Sequence, residues 1–233
     1  MSVAVLIAGL VFAASPARSA SIYSIDDGVG ESGIGGFQSI DVFLNSFQSV
    51  SGADRITAVR IAFGDFTHTL PTNGTAITAA LYTDPNNDGN PLDAVLVSSV
   101  NGVVANSNTD TFVEYVFPSG VTIPIGNWFF IGFTIQNLTG NNLGAERDTS
   151  SSAGRSWDAR WFTAVSFSLA DLSNSTLNNL DSFFGAGQGG NLMIRAVGED
   201  SGAVGDVPEP ATIWLGGAGL GLLAAFARKR KSA

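Results

Sequence analysis

The residues best arranged for chemistry lie in the run Asp84-Pro85-Asn86-Asn87-Asp88-Gly89-Asn90. Side-chain oxygens at Asp84, Asn86 and Asp88, followed by a glycine, match the first half of a calcium loop. There, alternate residues present oxygen to a hard cation and the glycine makes the sharp turn. Asp93 lies close behind. The twelfth position of such a loop, where EF-hands place a bidentate glutamate, is Val95 here, so a bound Ca2+ needs ligands from elsewhere in the fold. The competing reading is a solvated hairpin loop that uses Asp, Asn and Gly for turn chemistry alone.

A second grouping holds Arg155, Trp157, Asp158, Arg160 and Trp161. In an extended strand Arg155, Trp157 and Trp161 share one face. Indole rings flanked by polar groups suit the apolar faces of sugar rings, which makes Trp157 and Trp161 candidates for carbohydrate contact. Such residues also fill cores and sheet edges, the commoner role. Tyr82, beside the acidic loop, is a weaker addition. His68 is the only histidine and the chain has no cysteine. His68 therefore reads as a solvated loop residue, and thiol catalysis and cysteine-based zinc sites are excluded. Neither a Gly-x-Ser-x-Gly elbow nor a His-Glu-x-x-His helix occurs. Carboxylates are plentiful, but nothing marks one pair as a glycosidase pair. The expectation is a protein that is not an enzyme.

Charge narrows the partners. The whole chain carries a formal −9, but residues 21–206 hold six Arg, no Lys and nineteen Asp plus Glu, a net of −13. Such a surface repels nucleic acid and anionic lipid heads. It is compatible with cations and with neutral or cation-bridged polysaccharide.

The elements that must position these residues are short and alternating or β-branched. Strands are expected near Ile40–Phe47, Arg55–Phe63, Ala76–Tyr82, Ala94–Val100, Thr111–Phe117, Trp128–Gln136, Ala159–Phe167 and Asn191–Val197. Dense turn signals, such as Pro71-Thr72-Asn73-Gly74 and Pro118-Ser119-Gly120, separate them. This pattern predicts an all-β fold, an antiparallel β-sandwich of jelly-roll-like type. A short helix is expected within Leu169–Phe183, interrupted at Ser173–Thr176. The glycine-rich stretch Asp26–Gly36 reads as a loop. Residues 21–200 form one ectodomain, and 201–206 a linker.

The two ends read differently. Val3–Ala14 is an apolar run, and Ser15-Pro16-Ala17-Arg18-Ser19-Ala20 supplies small residues for cleavage. Residues 1–20 are thus expected to be a signal peptide, although only Met1-Ser2 stand where a basic n-region belongs. At the other end, Val207-Pro208-Glu209-Pro210-Ala211-Thr212 precedes an uncharged run, Ile213–Ala227, and the basic cluster Arg228-Lys229-Arg230-Lys231. Each proline fixes φ, lacks an N–H and pushes its predecessor toward extended geometry. Glu209 is therefore offered in a shape that a processing enzyme can grip. As a helix, Ile213–Ala227 is about 22 Å long, short of the ~30 Å hydrocarbon core, and suits temporary anchoring. Arg228 to Lys231 act as a membrane stop on the cytoplasmic side. A permanent tail anchor is the alternative.

Pro208-Glu209-Pro210, the apolar segment and the terminal basic cluster together resemble the PEP-CTERM sorting signal over residues 207–233. The resemblance implies export by the Sec machinery, removal of the leader by signal peptidase and an inner-membrane intermediate. It also implies recognition by an exosortase in a bacterium that makes exopolysaccharide, and delivery to the cell surface or extracellular space. More loosely, Ile77–Val100, Val121–Gln136 and Asn191–Val197 resemble β-sandwich domains of other exported, tail-sorted proteins. Two roles emerge as expectations: a structural or interaction component of an exopolysaccharide matrix, as in a biofilm, or a carbohydrate-binding module assisted by Ca2+.

Overall fold

The computed structural model describes residues 20–35, 38–64, 71–138 and 144–203. His68, the leader and the sorting tail lie outside them. The chain divides into Ser19–Ser201 and a second unit made of Met1–Arg18 with Gly202–Ala233.

The first unit carries the strands β1 (Ser21–Tyr23), β2 (Ser32–Ile34), β3 (Ile40–Gln48), β4 (Arg55–Ile61), β5 (Ala76–Thr83), β6 (Val95–Val103), β7 (Val113–Thr122), β8 (Trp128–Gln136), β9 (Ala145–Asp148), β10 (Ser156–Trp161), β11 (Thr176–Asn179), β12 (Asn191–Leu192) and β13 (Ile194–Glu199). Helix α1 spans Leu180–Phe184. Every strand pairing is antiparallel. One sheet runs β1-β13-β4-β7 and the larger one β11-β10-β3-β8-β5-β6. Take β1, β3, β4, β5, β6, β7, β8 and β13 as first to eighth. The sheets then read 1-8-3-6 and 2-7-4-5, the order of a jelly roll. The expected fold class is the one found.

The segment 137–193 is an insertion between the seventh and eighth jelly-roll strands. It adds β10 and β11 beyond β3 and supplies β9 and β12 of a small third sheet, β12-β9-β2.

Strand β8 shows why alternation blurs in the middle of such a sheet. Its sequence, WFFIGFTIQ, is nearly all apolar because both faces are covered. Phe129, Ile131, Phe133 and Ile135 enter the core between the sheets, with Phe43, Ile56, Phe63, Leu81 and Ile194. Phe130 faces the other way, into a second core with Val42, Leu44, Tyr82, Trp161 and Leu172. The stretch 162–175 covers this second core, held by the Tyr82 hydroxyl donating to the Leu169 carbonyl at 2.8 Å. Gly132 sits where the chains cross closely: a Cβ there would strike the Phe43 carbonyl.

The structure corrects three element boundaries. The strand expected at Ala159–Phe167 is Ser156–Trp161. Beyond Trp161 the chain turns, with the Ser166 hydroxyl donating to the Thr163 carbonyl at 3.2 Å. The strand expected at Asn191–Val197 is two strands in two sheets, because Met193 donates to Glu146 of β9 while its carbonyl receives Ala62. The expected helix shrinks to five residues. Thr176–Asn179 pair with β10, and the Asn179 side chain then caps α1 by accepting from Asp181 N.

Candidate functional site

The acidic run Asp84–Asn90 forms the turn between β5 and β6, and its side chains build it from within. Asp84, 4% exposed, accepts from Asn87 N at 3.0 Å and Gly89 N at 2.7 Å. The amide oxygen of Asn86 accepts from Asp88 N, and its nitrogen donates to Asp88 Oδ2 at 3.1 Å. Asn87 and Gly89 take φ of 59° and 78°, a left-handed backbone that these two residue types adopt at least cost. Asn90 then caps a single 3-10 turn, Pro91–Asp93, by accepting from Leu92 N at 3.1 Å. That turn brings Asp93 back: one carboxylate oxygen from each of Asp84, Asp88 and Asp93 lies within 4.8 Å of the others.

Three carboxylates this close repel one another, and the effect on Asp84 is visible. Burial is the largest influence and raises its carboxyl above the usual range. Asp88 and Asp93 push the same way, against the two backbone N–H groups. A divalent cation would relieve that repulsion, and the donor set of all-oxygen ligands fits calcium. Of the residues singled out from sequence, Asp84 and Asp88 converge with Asp93, while the Asn86 amide is spent within the loop. The loop also rests on an aromatic ring. Asn87 Oδ1 accepts from Trp128 N at 2.7 Å, a Cβ on Gly89 would lie 3.3 Å from the Trp128 ring, and Arg155 stacks 5.1 Å from that ring's centre.

Sequence spacing missed a second acidic group, Asp27, Glu31 and Asp148, also within 4.8 Å. Asp148, on β9, accepts from Asp27 N at 3.0 Å and Ser150 N at 2.8 Å. Glu31 accepts from Thr149 N at 2.6 Å. Asp148 joins from more than a hundred residues away, so no local pattern announces it.

Trp157 and Trp161 do share a face of β10, the one opposite the inter-sheet core. Trp161 is 2% exposed and meets Phe167 edge-on at 5.2 Å. Trp157 is partly buried against the same cluster. Both indole N–H groups are buried without a hydrogen-bond partner. Trp161 therefore occupies the packing role, and Trp157 retains some surface. Pro208, Glu209, Pro210 and Arg228–Lys231 lie outside the described residues. Among the described residues, no helix is long and apolar enough to cross a membrane.

Comparison with known proteins gives the class first. The model of the PEP-CTERM protein-sorting motif matches residues 206–231. The chain carries that sorting signal, the mark of an exported protein sorted to the cell surface. No curated protein matches the chain. Among solved structures it is similar to the clostridial cysteine protease Cwp84 after propeptide cleavage, with a TM-score of 0.51 and 16% identity over 81% of this chain and 42% of that one. A structure of the cysteine protease and lectin-like domains of Cwp84 from Clostridium difficile matches with a TM-score of 0.43 and 16% identity, over 70% and 32%. This chain thus spans less than half of either, and the likeness is one of fold.

Proposed function

We propose that this protein is a non-enzymatic component of an exopolysaccharide matrix, exported by the Sec route and processed by an exosortase at Pro208–Pro210. Ile213–Ala227 holds it in the inner membrane until then. The observation that carries this reading is the sorting motif at 206–231 behind a jelly-roll domain. The proposed domain role is contact with polysaccharide or with other matrix proteins. Mass spectrometry of mature protein from the producing bacterium tests the sorting step. Recovery of the peptide 213–233 attached to the domain would leave a permanent anchor instead.

A second reading, a calcium-assisted carbohydrate-binding module, is favoured by the convergence of Asp84, Asp88 and Asp93. Trp157 is its proposed ring contact, with Trp161 beneath as support. Binding of the purified protein to the organism's own exopolysaccharide, with calcium and with chelator, separates the readings. Saturable binding lost on chelation selects the module, and absence of binding by folded protein selects a structural role.

A further inference from the structure

Three charged side chains meet in the seam where the insertion joins the jelly roll. Asp41 on β3 lies opposite Arg160 on β10, and Phe43 opposite Asp158, so the group sits on the inter-sheet face. Asp41, Asp158 and Arg160 are 1%, 1% and 4% exposed. Arg160 Nε donates to Asp41 Oδ1 at 2.7 Å, and its terminal nitrogen donates to Asp158 Oδ2. Ser39 gives Asp41 Oδ2 a further donor at 2.7 Å. No donor reaches Asp158 Oδ1, which is shielded from solvent.

Among the described residues two carboxyls meet one guanidinium there, and removing an uncompensated charge from water is costly. A buried carboxyl with one oxygen out of reach of any donor avoids that cost by keeping its proton. We propose that the Asp158 carboxyl keeps its proton in the folded domain, and that this proton lets Arg160 pair with Asp41 and fasten β10 to β3. Loss of the proton opens a specific part of the molecule. Among the described residues, strand β10 joins the larger sheet only through β3, and β11 only through β10. Deprotonation therefore loosens β10, β11 and the covering stretch 162–175 while the eight jelly-roll strands stay paired.

The direction with pH comes from the same contacts. Burial first, and then the Asp41 charge, raise the Asp158 carboxyl well above the usual carboxylate range, with Arg160 opposing. The folded form keeps a proton that the unfolded chain releases at about pH 4. The stabilisation is complete below that pH and is lost as pH rises through the folded-state value. Among the described residues, Arg160 is the charged group facing the pair. The pair's register neighbours on β3 and β8 are apolar: Phe43 lies opposite Asp158 and Ile135 opposite Asp41. The other buried charges of the insertion turn elsewhere: Glu146 toward Gly30 and Gly64, Asp148 to Asp27 and Ser150, and Arg147 over the Phe184 ring.

The test is thermal unfolding of the full chain and of Asp158→Asn between pH 5 and 9, both carrying Trp128→Phe and Trp214→Phe so that the emission followed is that of Trp157 and Trp161, which flank the site on β10. Asp158→Asn keeps a hydrogen-bond donor and cannot ionise. The wild-type midpoint should fall relative to the variant by about 3–5 °C per pH unit from pH 5 up to the folded-state value, and level off above it. The tryptophan emission should shift to the red at high pH in the wild type alone. Parallel curves for the two proteins overturn the proposal. If Asp158→Asn does not fold, infrared spectroscopy of protein labelled with 13C-aspartate decides. A carboxyl still protonated at pH 7 in the Asp84→Asn variant supports the lock, and complete ionisation of every remaining aspartate at pH 7 overturns it.

Discussion

The jelly roll and its insertion solve the problem of charge in opposite ways. In the jelly roll, the half-buried acidic turn between β5 and β6 is satisfied from within: Asp84 accepts from backbone N–H groups three and five positions away. In the insertion, charged and polar side chains reach across more than a hundred residues and are buried. Arg160 pairs with Asp41, Arg147 reaches Ser32, and Ser156 donates to Asn45 at 2.7 Å. Asn45, with no exposed surface, donates to the carbonyls of Leu192 and Ile194, both at 2.8 Å. The inner faces of the two sheets are already committed to each other, so the added strands are fastened by a polar joint. Apolar burial carries the jelly roll, and directional bonds carry the added part.

That contrast is open to attack, beginning with the largest effect. Phe133→Ala removes a ring wedged between Phe43 and Phe63, each 5.6 Å away. It should cost about 3–5 kcal/mol and lower the midpoint of the whole domain in a calorimeter. Arg160→Ala should cost a comparable ~3–5 kcal/mol, because it leaves buried carboxylates without their cation. The loss should appear in hydrogen exchange as deprotection of β10 and β11 ahead of β5 and β8; uniform deprotection would mean that the seam is not separable. Calcium at about a hundredfold over its dissociation constant should add ~2.7 kcal/mol to the intact acidic turn. Asp88→Asn should reduce that gain, read as the shift in unfolding midpoint on adding calcium. The smallest effect belongs to Arg60→Ala. Its 2.7 Å pair with Glu114 is about two-fifths exposed on both sides, and its loss should cost no more than ~0.2–1 kcal/mol in denaturant titration.

The same division explains what could be read from the sequence. Strands β3, β4, β5, β7 and β8 announce themselves by β-branched and aromatic runs between turn residues. The acidic loop was legible because the bonds among Asp84, Asn86, Asp88 and Asn90 that fold it are local; its contact with Trp128 was not. The insertion was not. Its strand β10 carries Asp158 and Arg160 on the face toward the core, so the usual alternation of apolar and polar residues is reversed in meaning. Residues Phe162 and Val165, 58% and 98% exposed, look like strand residues but lie in a turn. Strand β2 hides in a glycine-rich stretch because only its partner β9 gives it a reason to be extended. The third carboxylate of the Asp27 cluster, and the Asp41 half of the seam, arrive from distant positions that no spacing rule connects.

The placement of β13 has a mechanical consequence. It lies inside its sheet, with β1 on one side and β4 on the other, and it leads directly to Ser201, whose backbone N–H and hydroxyl are both gripped by Asp54. A tug applied beyond Ala203 along the strand axis would have to shear two ladders at once, six residue pairs with β4 and three with β1. The same force on an outermost strand such as β6 or β11 would peel a single ladder one bond at a time. The domain thus ends in a strand paired on both sides, harder to draw out than either outermost strand of the larger sheet.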